Sequence, residues 1–192
     1  MHRLPLLLAL ALSLPVLASA GERKVVATKG DCEISVGDRD SRALDLIIAD
    51  CTWSAPPARV IAVVKDATTH TFLSSVEVST KLADGRVLQV HKADGIADRQ
   101  VALTFKNTDL QDGGFRTEWT KATTQESLGE DRVEVEVNDG AWEVHAGENG
   151  GSKVRYELRY HAGGKVPNWL VRSFQKGGVG TLVTEMRDRV SR

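Results

Sequence analysis

Cysteine, histidine and an Asp-Arg pair are the groups in this chain with the chemistry to react, and their spacing limits what they can do. Cys32 and Cys51 are the two cysteines. Glu33 to Val36 and a segment ending near Trp53 read as strands around a polar connection that begins at Gly37. If Val36 pairs with Ile47, the loop is Gly37 to Leu46 and Cys32 falls opposite Cys51, so a disulfide would staple this hairpin. Two reduced buried cysteines are the alternative. Leaving His2 aside, the histidines are His70, His91, His145 and His161. None stands at metal-ligand spacing, so neither a metal nor a cofactor is expected. Strand alternation sets His91, His145 and His161 on an outer face. Asp98 and Arg99, at a strand entrance, read as a structural ion pair rather than a catalytic one. Without a nucleophile-base spacing or a metal motif, the sequence argues against an enzyme.

The elements that would position these residues are mostly strands. Trp142, Val144 and Ala146 alternate with Glu143 and His145; Val154, Tyr156, Leu158 and Tyr160 alternate with Lys153, Arg155, Glu157 and Arg159. Period two with a charged outer face means antiparallel sheet with one wet side. Asp139-Gly140 reads as a two-residue turn pairing Val137 with Trp142 and Val135 with Val144. At Asp84-Gly85 a three-residue loop, Ala83 to Gly85 with Gly85 left-handed, pairs Val78 with Val90 and Thr80 with Leu88. Val101, Leu103 and Phe105 meet Phe115, Thr117 and Trp119 across the Gln111–Gly114 loop. Lys121 to Asp131 is expected as a strand-free loop. The total is seven to nine strands, enough that the sheet should curl.

Helices are expected at two places. Ser54 can cap a short segment that starts Ala55-Pro56-Pro57 and carries Val60, Ile61, Val63 and Val64 on one side. A long helix beginning at Pro167 closes the chain. Its apolar residues split into two stripes, Val166-Leu170-Val171-Phe174 and Val179-Leu182-Val183-Met186-Val190, and Gly177, Gly178 and Gly180 stand at the break. Those glycines let the helix bend and leave a notch beneath it, with Gly178 in a close-packed position. The space under the helix is either a ligand cavity or a core filled by Trp and Tyr; sequence geometry weighs the two equally.

The ends and the charge complete the frame. Residues 1–20, MHRLPLLLALALSLPVLASA, read as a secretory signal peptide: a basic start, an apolar run and a small-residue cleavage site before Gly21. The remainder, 21–192, is expected to be a single exported domain, periplasmic or secreted. Basic and acidic residues number 25 and 26, a balance that argues against nucleic acid as a partner.

Three segments resemble the StAR-related lipid-transfer (START) family of the helix-grip superfamily. APPARVIAVVKDATTHTF is similar to the family's helix ending in aspartate and then an aromatic, here Asp66 and Phe72. GIADRQVALTF resembles its Arg-Asp strand opening, with Arg99 matching and Gln100 in the aspartate's place. GGKVPNWLVRSFQKGGVGTLVTEMRDRV resembles its closing Gly-x-(Ile/Val)-Pro-x-Trp signature. The resemblance implies an α+β helix-grip fold, a curled antiparallel sheet around a long C-terminal helix, holding a lipid or sterol beneath that helix. Sterol-binding members often carry a buried arginine near where Phe105 stands; the aromatic there makes a charged ligand pose doubtful. The expected ligand contacts are Phe105, Phe115, Trp119, Trp142, Tyr156, Tyr160, Leu170, Phe174, Gly178 and Leu182. Function is thus expected to be binding, or transfer, of a hydrophobic small molecule by a monomer, with transient membrane contact left open. The alternatives are an exported interaction protein with a packed core, or a helix-grip enzyme.

Overall fold

The computed structural model describes residues 23–92, 95–123, 129, 131–166 and 177–192. The expected signal peptide and the start expected for the closing helix, with the expected ligand contacts Leu170 and Phe174, lie outside the described residues. Ten strands form one sheet: β1 (Lys24–Lys29), β2 (Cys32–Arg39), β3 (Asp45–Trp53), β4 (Val76–Lys81), β5 (Val87–His91), β6 (Asp98–Asp109), β7 (Phe115–Ala122), β8 (Arg132–Glu134), β9 (Val137–Ala146) and β10 (Ser152–His161). The spatial order is β1-β2-β3-β10-β9-β7-β6-β5-β4, antiparallel throughout, while short β8 lies parallel to β6. The first strand, KVVATK, has no clear alternation and is one more than the sequence reading allows. It forms an edge, where flanking Lys24 and Lys29 discourage pairing with another chain.

Local pattern sets the first hairpin. Cys32 pairs with Cys51 and Val36 with Ile47, the register that a staple across this hairpin needs, and the two sulfurs are bonded. Turn chemistry sets the β4–β5 hairpin: Val78 pairs with Val90 and Thr80 with Leu88, closed by Gly85 at φ +88°, a backbone conformation with little steric cost only for glycine. Lys121 and Ala122 extend β7 into the segment expected as loop. On β6 and β7 the faces are as expected but the register slides: Phe105 pairs with Trp119, and Phe115 with Asp109.

Asp139-Gly140 is not a turn. Both residues lie inside β9, where Gly140 pairs with Leu158 on one side and Trp119 on the other. A Cβ at Gly140 would collide with the Glu157 carbonyl and the Trp119 indole. The glycine is there because a large ring crosses it, not because the chain reverses.

Two α-helices are described. In α1 (Pro57–Val64) the N-cap is Pro56 and no side chain caps it, so Ser54 does not serve as expected. Proline at N1 and the backbone preset of Pro56 start the helix instead. Val60 and Val64 are fully buried beneath it. A 3-10 segment, Ala67–Phe72, follows, with the Asp66 carboxylate accepting from the Thr68 N–H at its start. The closing helix, α2 (Val179–Val190), buries Val179, Val183, Met186 and Val190. It packs on β1, β2, β3 and α1.

The wet face carries a charged ladder. Arg116 reaches Glu143 at 2.8 Å, Glu157 at 2.9 Å and Glu118 at 3.2 Å, while Arg155 meets Asp50 at 2.6 Å. His145 lies between Asp112 and Glu143, which raise its pKa, Glu143 most. Partly exposed pairs of this kind set strand alignment more than net stability.

Candidate functional site

Aromatic residues of the inner face form a continuous run from strand to strand. Phe105 lies 6.0 Å from Trp119, Trp119 5.8 Å from Tyr156, Tyr156 4.5 Å from Trp142, and Trp142 6.3 Å from Trp53, centroid to centroid. Tilted pairs at these distances suit the ring quadrupole. The Trp53 end is sealed in the core, and its indole N–H is left without a partner. The other end opens.

Between this run, strands β5, β6 and β10 and the start of α2 lies a cavity of about 190 Å³. Its apolar wall includes Leu103, Leu158, Val179 and Leu182 beside the rings of Phe105, Trp119, Trp142, Tyr156 and Tyr160. A void of this size is far beyond what one water occupies. Exposed Ser75, Lys92 and Gly178 mark where it meets the surface. Of the residues expected to contact a ligand, seven therefore face the cavity. Phe115 is buried in the main core instead, opposite Asp109 near the far end of β7.

Sequence reasoning missed the polar side of this cavity. His91 was expected on the outer face; it lines the cavity with Gln89 and Arg99. The alternation on β5 is real but inverted: Val90 is buried outside the main core cluster, and the polar residues face inward. Ser79 Oγ donates to the Ala67 carbonyl (2.7 Å) and accepts from Gln89 Nε2 (3.0 Å), which turns Gln89 Oε1 toward His91 Nε2 at 3.0 Å. His91 is thereby held with its proton on Nε2. Burial lowers its pKa to about 4, so the ring is neutral at physiological pH. Tyr160 stands 6.5 Å away, ring to ring. Its hydroxyl is pushed up to about 12 by burial, against the pull of the Arg99 charge, and stays a proton donor. Among the described residues neither tyrosine hydroxyl, of Tyr156 or Tyr160, hydrogen-bonds to protein. Trp119 is satisfied internally, donating to Asn138 Oδ1 at 2.9 Å.

Arg99 forms no ion pair with Asp98. It is 4 % exposed, donating from Nε to the Ala162 carbonyl at 3.1 Å and from Nη1 to the Ala97 carbonyl.

The glycines of α2 divide differently from expectation. Gly177 and Gly178 occupy a π turn that leads into the α-helix, a widening that fits the expected irregularity. Yet among the described residues a Cβ on Gly178 would meet nothing within 4 Å, whereas one on Gly180 would lie 3.0 Å from Lys29 Cγ and 3.4 Å from Ile34 Cδ1. Gly178 is a rim residue with room beside it; the close approach is at Gly180. Gly178 has helical φ −62° and ψ −43°, so Gly178→Ala should stabilise the fold by about 0.4–1 kcal/mol through the unfolded chain. Denaturant titration checks this; a loss of stability would show that the rim is occupied.

A curled antiparallel sheet gripping a C-terminal helix over a mostly apolar cavity defines the helix-grip class. Residues 53–187 match the family model described as polyketide cyclase / dehydrase and lipid transport, and the chain belongs to that family. Among solved structures, a STAR-related lipid transfer protein (fragment 25–204) from Xanthomonas axonopodis is similar with TM-score 0.75 and 18 % identity, over 88 % of this chain and 99 % of that one. Human StAR-related lipid transfer protein 5 is similar with TM-score 0.79 and 11 % identity, over 91 % and 88 %. The lipid transfer and protein localization domain of human StarD13 gives 0.75 and 16 %, over 88 % and 89 %. At such identities the likeness establishes the fold, here that of StAR-related lipid transfer domains. No curated protein matches the chain in sequence.

Proposed function

We propose that this protein is an exported, monomeric carrier for a hydrophobic small molecule, one helix-grip domain from Gly21 to Arg192 that holds a lipid-like ligand under its closing helix. The observation that carries this reading is the cavity of about 190 Å³, walled by the aromatic run and by Leu103, Leu158, Val179 and Leu182. Each methylene buried there contributes about 0.8 kcal/mol before the costs of association. Polar groups are few and sit to one side, the arrangement of a site that binds by apolar burial and orients by a small number of polar contacts. The leader-like residues 1–20 and the Cys32–Cys51 bond support export. Titration with the neutral fluorophore N-phenyl-1-naphthylamine should give saturable enhancement, reversed by whatever lipid organic solvent extracts from the purified protein. No enhancement together with an empty extract would overturn the proposal and favour an interaction protein.

Turnover in the same cavity is the second reading, favoured by the inward His91 in a family whose description includes cyclases. Recovery of the extracted ligand unchanged after prolonged incubation with fresh protein would count against it.

A further inference from the structure

We propose that the cavity selects amphiphiles bearing a single carboxylate, with Arg99 as the head-group anchor. This rests on the carrier reading above and adds the chemical class of its ligand.

Arg99 lines the cavity and is 4 % exposed. A guanidinium carries five N–H donors. Two backbone carbonyls, of Ala97 and Ala162, each take one. Among the described residues no carboxylate pairs with it, and its Nη2 makes no hydrogen bond. A buried cation without a counterion is a costly arrangement that folding alone does not require. Among the described residues that line the cavity none is acidic. The other basic group there, Lys92, is exposed and already faces Glu77 at 3.5 Å. The counter-charge for Arg99 must therefore come from what fills the cavity.

The neighbours specify how much charge. His91 is Arg99's direct cross-strand partner and is held with Nε2 bonded to Gln89, adding a ring but no charge. Tyr160 supplies a hydroxyl without a protein partner beside it. The one buried, fixed positive charge among the described lining residues, flanked by neutral donors and backed by an apolar chamber, balances one negative charge. An Arg fork also matches the two oxygens of a carboxylate. A doubly charged phosphate monoester would leave a net buried anion. A neutral ester or alcohol would leave the guanidinium unneutralised.

The test compares cis-parinaric acid with its methyl ester, read by the probe's own fluorescence, on the wild type and on Arg99→Gln. The acid should bind the wild type at least ten-fold more tightly than the ester. Arg99→Gln should remove that preference by weakening the acid about ten-fold while leaving the ester unchanged, which also reports that the cavity has folded. Dodecyl phosphate should displace the acid less well than dodecanoate. Equal affinity for acid and ester in the wild type overturns the inference, as does an acid preference that survives Arg99→Gln. If that variant does not fold, the wild-type ratio decides. Binding of N-phenyl-1-naphthylamine with no acid preference sinks the head-group anchor alone; failure of all these probes removes the carrier reading with it.

Discussion

Removing the Cys32–Cys51 bond should lower the stability of this protein by about 3 kcal/mol. The cysteines are 19 positions apart, so the bond closes a short loop in the unfolded chain and limits its freedom. In the folded state the pair is buried, 3 % and 5 % exposed, within the main core cluster. Cys32→Ala with Cys51→Ala removes both sulfurs without leaving a polar group in that apolar setting. The shift should appear in the denaturant midpoint, and thiol labelling of the unreduced, denatured wild type should find no free cysteine. A double variant within about 1 kcal/mol of wild type would mean that β2 and β3 hold their register without a staple.

A single methyl group at Gly140 should be nearly as damaging. Gly140 lies in the middle of the sheet between Leu158 and Trp119. An alanine Cβ would meet the Glu157 carbonyl on one side and the Trp119 indole on the other. The carbonyl is backbone and cannot turn away. Trp119 is pinned by Asn138 and packed between Phe105 and Tyr156. Overpacking of this kind costs about 1–3 kcal/mol. Because Trp119 is also cavity wall, Gly140→Ala should change the intrinsic fluorescence and weaken uptake of the apolar probe. A silent Gly140→Ala would indicate that β9 turns at Asp139-Gly140 after all. The contrast with Gly178→Ala, where the same added methyl meets no atom of the described residues within 4 Å and should stabilise, makes the two variants a matched pair.

Features whose causes lie within a few residues or one hairpin are legible in the chain's letters. The period-two pattern of Val154 to Tyr160 specified a sheet with one wet face, since every second side chain must share a surroundings. The sequence allowed Cys32 to face Cys51 on the condition that Val36 pairs with Ile47, and the three-residue Ala83–Gly85 loop followed from keeping Val78 with Val90. The motif running into α2 pointed to the closing helix. Tertiary structure decided the rest. Asp139-Gly140 has the chemistry of a turn, and only the Trp119 ring brought by β7 shows why glycine is needed inside a strand. His91 read as outward-facing by strand alternation; a cavity gives it and Gln89 space on the inner side, with a bonding chain through Ser79 to Ala67. Arg99 looked paired with its neighbour Asp98, but folding carries Ala162 from the end of β10 to its side and leaves the cation facing the chamber. Gly178 and Gly180 are indistinguishable as letters, and it is Lys29 and Ile34, from strands about 150 positions earlier in the chain, that make one tight and leave the other open.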